Sequence, residues 1–285
     1  MLKSLKLYTE YFLKSSFSPG RRFILEDMKR FLLQKDVFRQ AFNYSSGEKK
    51  EALDKAAGWL MMAQQANEDD GMGSYHLINK WSASYPETTG YIIPTLINYG
   101  KNFNQHEAID SAMNAADFLL KIQKESGGWQ GGRINENKPE IVFNTGQVIR
   151  AMIAAHRHSD EQIYLHAAIK AGMWLSDIQH NEGFWQTHAL MGKARVYDTY
   201  LDAPLLQLYE ITGEEEFRKT AIQNLEWVIR DKMHQNGWFE DCDNTVKRNE
   251  KPILHTVAYT LDGLVDSSLI LKDDKYLKAA VKGAE

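Results

Sequence analysis

The chain repeats itself every 54 to 57 residues, and a repeat of that length dictates a stack of identical supersecondary units. The threonine of PETTGYIIPTL, Thr89, returns as Thr145, Thr199 and Thr256, at separations of 56, 54 and 57 residues. An aromatic landmark runs in parallel as Trp59, Phe118, Trp174 and Trp227. A third set lies in loops: GGWQGG at Trp129, EGFWQT at Phe184 and Trp185, and NGWFED at Trp238. Three landmarks keeping one period define a genuine repeat.

Each unit reads as two helices. In AIDSAMNAADFLLKIQ (108–123), Ile109, Met113, Ala116, Leu119 and Leu120 share one helical face, and Phe217, Ala221 and Leu225 do the same in EEFRKTAIQNLEWVIRDKM. The links within a unit are short, near 102–105, 159–161 and 212–214, whereas the loops between units are long and aromatic-rich. No segment carries a sustained period-two alternation or a hairpin signal. The expected fold is therefore all-α. Open solenoids run at about 33–47 residues per repeat with short links at both ends. Alternating short and long links suit an α/α toroid (barrel), a ring of inner and outer helices around a central cavity.

One domain over 1–285 is expected, with 1–47 as atypical N-terminal helices and regular repeats from 48 onward. The count is five to six helical hairpins. Six at this period need about 330 residues, so a chain of 285 forms a five-hairpin ring or stops short of closure.

Charge and cysteine content narrow the functions. With 34 basic and 38 acidic residues the net charge is −4, which argues against nucleic acid or an anionic membrane as partner. A single cysteine, Cys242, excludes a disulfide framework and any multi-cysteine metal cage. The N-terminus lacks a signal-peptide core and no window has about 18 uninterrupted apolar residues, so the expectation is a cytoplasmic protein without cofactor or metal. The oligomeric state stays open.

The Gly-Trp loops and the helix-pair period resemble the α/α-toroid superfamily, which includes terpenoid cyclases, prenyltransferase β subunits and six-hairpin glycosidase-like enzymes. The stretch KWSASYPETTGYIIPTL (80–96) resembles bacterial toroid proteins of exopolysaccharide clusters, described as prenyltransferase/squalene-oxidase-repeat proteins. That resemblance covers about 48–285 and implies a toroid with a role in polysaccharide metabolism.

In a toroid, the inner-helix N-termini and the loops before them line the cavity mouth, where unpaired N–H groups favour polar ligands. The corresponding windows are 69–91, 125–147, 181–202 and 235–259. They hold what sugar binding needs: aromatic faces for stacking and amides, carboxylates and guanidinium groups for hydroxyls. Candidate substrate-binding residues are Tyr91, Trp129, Arg133, Asn144, Trp185, His188, Arg195, Tyr197, Trp238, Asp241 and Tyr259, with Trp81, Tyr85 and Phe143 among the further aromatics. A Gly-Trp indole can equally be a packing plug between hairpins.

Four residues are candidates for catalysis: Glu87, Asp198, Asp202 and His255. Glu87 follows Pro86, which sets a helix start and puts the carboxylate in the first turn. Thr88, Asn144, Asp198 and His255 each precede the landmark threonine in what reads as the N-cap slot, where histidine is the outlier. Asp198 and Asp202, at i and i+4, share a face on which Asp202 would point down the bore. Glycoside hydrolysis requires two carboxylates, drawn here from Glu87, Asp198, Asp202, Glu240 and Asp241. A uronate lyase or epimerase would instead use His255, Tyr197 or Tyr259 as proton carriers, with Arg133, Arg195 and Asn144 on the carboxylate. Lys193, Lys247, Arg248 and Lys251 would suit an anionic sugar.

Two other classes compete. One is a non-catalytic glycan-binding or assembly factor. The other is an isoprenoid cyclase or transferase, against which count the absence of a DxDD string and of the Asp-x-Cys spacing around Cys242. The reading is a carbohydrate-active protein, a glycoside hydrolase or a uronate lyase/epimerase acting on an oligosaccharide or polysaccharide.

Overall fold

The computed structural model describes residues 44–76, 79–244 and 253–285. The expectation of N-terminal helices before residue 44, and the cations Lys247, Arg248 and Lys251, lie outside the described residues. Helix α1 (Ser46–Gln65) starts at a capping box in which Glu48 N–H donates to the Ser45 side chain and Ser45 N–H to Glu48. Four helical hairpins follow: α2 (Pro86–Phe103) with α3 (His106–Lys121), α4 (Val142–Ser159) with α5 (Gln162–Asp177), α6 (Asp202–Thr212) with α7 (Glu215–Trp227), and α8 (Leu254–Leu271) with α9 (Asp274–Ala284). A 3₁₀ turn, Val196–Leu201, leads into α6, and a π turn, Val228–Lys232, extends α7.

The short links end each inner helix in one way. Asn104, Asp160, Gly213 and Lys272 adopt left-handed backbone (φ 54°, 65°, 74° and 54°), and each N–H bonds the carbonyl four residues back. The chain then reverses. Helices α2, α4, α6 and α8 pack side by side as the inner layer, and α3, α5, α7 and α9 each lie against their own inner partner outside it. This is the expected α/α toroid architecture.

Repeated side chains tie the outer layer together. Gln123 Nε2 donates to Gly127 O (2.8 Å) and to Ala167 O (2.9 Å) on the next outer helix, and Gln179 Nε2 does the same to Gly183 O (3.2 Å) and Thr220 O (2.9 Å). Gly127 and Gly183 have φ of +107° and +96°, and a Cβ on either would fall 2.5 Å or less from a carbonyl of the next outer helix. Two of the landmark threonines stitch loop to inner helix: Met72 N–H donates to Thr89 Oγ1 and Trp129 N–H to Thr145 Oγ1, both at 3.0 Å.

One departure from an all-helical reading is a two-stranded antiparallel hairpin, β1 (Tyr75–His76) with β2 (Lys80–Trp81), in the loop before α2. Strands of two residues are too short to show alternation. No helix among the described residues is long and apolar enough to cross a membrane.

The bore is not open. Rings of Tyr91 from α2, Phe143 from α4, Tyr200 from the 3₁₀ turn and Tyr259 from α8 converge with centroids 5.1–6.4 Å apart. The Arg150 guanidinium lies 4.0 Å from the Tyr200 ring centroid and donates to its carbonyl, closing the stack from one side.

Candidate active site

Above this aromatic floor, at the N-terminal ends of the inner helices, lies a cavity of 210 Å³. Each repeat contributes to it. Tyr85 and Glu87 come from the start of α2, Phe143 and Asn144 from α4, Tyr197 from the 3₁₀ turn before α6, and His255, Thr256 and Tyr259 from α8. Ile141, Leu190 and Asn244 complete the wall. The volume is below the ~300 Å³ at which drug-sized pockets begin. It suits one sugar ring.

Among the described residues, Glu87 is the carboxylate on this wall. Pro86 opens α2 and leaves Glu87 in its first turn. Burial raises the Glu87 pKa from its ordinary value, and the Tyr85 hydroxyl, which donates to Oε2 at 2.6 Å, partly opposes that shift. Asn144 Nδ2 in turn donates to the Tyr85 oxygen at 3.2 Å, so α2 and α4 share one chain of hydrogen bonds. Burial and the Glu87 charge push the Tyr85 pKa up, which keeps its proton in place for donation. Burial likewise raises Tyr197. His255 is exposed at the mouth, with Nε2 3.4 Å from Asn244 Nδ2 and its ring edge-on to Tyr259 at 5.7 Å.

Of the residues expected from sequence, Glu87, Asn144, Tyr197, His255 and Tyr259 meet at the cavity, and Tyr91 lies beneath them in the floor. The rest are placed elsewhere. Asp198 and Asp202 are fully buried, and neither lines the cavity. Burial lifts Asp198 to about 8 despite the neighbouring Arg195 charge; burial and the Asp198 charge together raise Asp202 well above its ordinary value. Both Asp202 oxygens and Asp198 Oδ2 lack a hydrogen-bond partner among the described residues. Arg195 is buried beside Asp198.

The loop tryptophans divide. Trp129 and Trp185 are buried, and each indole N–H donates to an outer-helix carbonyl (Leu119 and Leu175, both 2.8 Å), so they are packing plugs and not stacking faces. Trp238 is 37% exposed and away from the cavity. Arg133 is exposed beside Glu136. His188 packs on Trp174 with Nδ1 3.0 Å from Glu140 O. Asp241 bonds Lys232 at 2.7 Å in a separate surface cleft of 710 Å³. Nor are Thr88, Asn144 and His255 N-caps: Tyr85, Ile141 and Ile253 hold those positions, none with a capping side-chain bond.

Tyr85 carries the greatest weight among the residues that sequence offered only as further aromatics; what the sequence did not signal is its bond to Glu87, two residues on. Cys242 is buried, burial pushes its thiol pKa up, and its sulfur lies 3.5 Å from Thr260 Oγ1. Among the described residues no group of three or more His, Cys, Asp or Glu side chains could hold a metal ion.

Solved structures share this fold. A GH76 alpha-mannanase of Bacteroides thetaiotaomicron aligns with a TM-score of 0.56 at 14% identity, covering 70% of this chain and 56% of its own. An unsaturated glucuronyl hydrolase of Streptococcus agalactiae aligns at 0.63 and 17% identity (84% and 63%), and a D-mannose isomerase at 0.63 and 14% (86% and 71%). The chain thus spans just over half the length of the mannanase. At these identities the likeness is one of fold. The sequence match is more specific: residues 44–282 fit the family model of the beta-L-arabinofuranosidase GH127 catalytic domain, and the protein belongs to that family.

Proposed function

We propose that the protein is a glycoside hydrolase that takes one terminal sugar, of the β-L-arabinofuranoside kind for which its family is named, with Glu87 as proton donor. The observation that carries this reading is the Tyr85–Glu87 pair on the cavity wall: a carboxyl with raised pKa, held at 2.6 Å by a hydroxyl that stays protonated. Burial favours the protonated form of Glu87, the form that can give a proton to the departing glycosidic oxygen. His255, at the mouth, takes a proton from the attacking water. Asn144 and Tyr197 bond ring hydroxyls, and Phe143 and Tyr259 receive the apolar sugar face. The acceptor is an oligosaccharide or polysaccharide. The whole chain acts as one domain, in the cytoplasm, on exopolysaccharide or its precursors, in line with the resemblance of 80–96.

A second reading is epimerase or isomerase chemistry, in which Glu87 and His255 exchange protons with a sugar carbon. It is favoured by the cavity wall itself, where among the described residues one carboxylate and one imidazole stand in place of the two carboxylates of ordinary glycoside hydrolysis. Incubation in deuterium oxide with p-nitrophenyl β-L-arabinofuranoside and with free aldoses separates the two. Nitrophenol release without deuterium at carbon supports hydrolysis, deuterium uptake without release supports epimerisation, and neither outcome with any sugar overturns both.

A further inference from the structure

Three aromatic side chains cluster on the surface beside the loop that delivers Tyr85 and Glu87. Trp59 on α1 and Tyr75 on β1 are 47% and 41% exposed, and Trp81 on β2 is partly so. The indoles of Trp59 and Trp81 lie 5.3 Å apart at 37°, with Tyr75 edge-on to both at 5.8 and 5.1 Å. Scattered exposed aromatics need no explanation, but three in contact form a continuous apolar surface that water hydrates poorly. The β-hairpin holds this surface in place: Ser82 N–H donates to Ser74 O at 2.9 Å, and the exposed Ser74 hydroxyl lies 3.1 Å from that of Ser82. Hydroxyls therefore border the rings.

We propose that Trp59, Tyr75 and Trp81 form a second carbohydrate site, a platform that binds neutral sugar units of the chain whose end enters the cavity. Position supports this. Three residues lie between Trp81 and Tyr85, so the four steps reach about 13 Å when extended, and platform and cavity mouth lie at the same end of the toroid and within a few sugar units of each other. Ring faces bordered by hydroxyls match the amphipathic surface of a sugar, with its apolar C–H face and polar rim. Charge argues against the other occupants of an aromatic surface. The loop from α1 into the hairpin carries Glu68, Asp69 and Asp70 against Lys80, an acidic setting that repels nucleic acid and anionic lipid.

The proposal rests on the carbohydrate reading of the cavity, but the test keeps them apart because the platform recognises features common to neutral sugars. Affinity electrophoresis in gels containing arabinan, mannan or xylan compares the wild type with Trp59→Ala/Tyr75→Ala and with Glu87→Gln. Both replaced aromatics are exposed, so the double variant folds, which its melting temperature checks. The expected result is that at least one polysaccharide retards the wild type and Glu87→Gln alike, and that the double variant binds it about tenfold more weakly. Cleavage of the aryl glycoside by the double variant is unchanged. Equal retardation of the double variant, or retardation of the wild type by none of the gels, overturns the platform. So does a wild type that elutes as a dimer while the double variant elutes as a monomer, which makes the patch a contact between copies. Full activity in Glu87→Gln overturns the reading of the cavity and leaves the platform standing.

Discussion

The Tyr85 hydroxyl donates to the Glu87 carboxylate at 2.6 Å, and this bond opposes the effect of burial on the acid. A hydrogen bond to the charged form of a carboxyl lowers its pKa, so removing the donor must raise it. Tyr85→Phe is therefore expected to move the Glu87 ionisation to higher pH. If Glu87 works protonated, the alkaline limb of the kcat/KM profile shifts upward and activity persists at higher pH than in the wild type. Were the limb unmoved, Glu87 would not be the titrating acid. Glu87→Gln should cost about 100-fold or more in kcat while leaving the melting temperature within a few degrees.

Most of the fold was legible because its determinants are periodic. Two of the threonines fix a loop to an inner helix, Thr89 through Met72 N–H and Thr145 through Trp129 N–H, while Thr199 and Thr256 donate to the carbonyls of Val196 and Ile253 at the start of their own turns. Gln123 and Gln179 stood in the same repeated strings, yet nothing in a string says that one amide reaches two carbonyls. The i, i+4 spacing of Asp198 and Asp202 was legible and the two acids do feel each other's charge, but their burial was not, because 196–201 is a 3₁₀ turn and not the start of a regular α-helix. Glu87 was legible because Pro86 fixes the start of its helix. The Tyr85 bond was not, because it depends on a side-chain torsion.

Trp129 offers a direct contrast between packing and binding. It is fully buried and its indole N–H donates to Leu119 O at 2.8 Å. Trp129→Phe leaves that buried carbonyl without its partner and opens a small void, at a cost of about 1–3 kcal/mol. Denaturant melts should show that loss, while kcat/KM of the folded variant stays at the wild-type value. A raised KM with unchanged stability would return Trp129 to the sugar.

The buried acids predict an inverted pH dependence of stability. Burial raises both Asp198, to about 8, and Asp202, so the folded protein holds protons that the unfolded chain releases above about pH 4. Their contribution is complete below that pH and falls as pH rises toward 8, by up to ~1.4 kcal/mol per proton and pH unit. Asp202→Asn keeps the shape of the protonated acid and cannot ionise. Its melting temperature should therefore fall less between pH 5 and pH 8 than that of the wild type. Parallel curves would mean that Asp202 is ionised in the folded state.

His255 stands at the cavity mouth on the first turn of α8, exposed and within 3.4 Å of Asn244. An exposed side chain at a helix start contributes little to packing, so His255→Ala should fold normally. If the imidazole takes a proton from the attacking water, its loss lowers kcat by about 100-fold and leaves KM nearly constant. Free imidazole in the buffer then restores part of the rate, because the cleared space opens to solvent. A rise in KM with intact kcat would instead make His255 a binding residue.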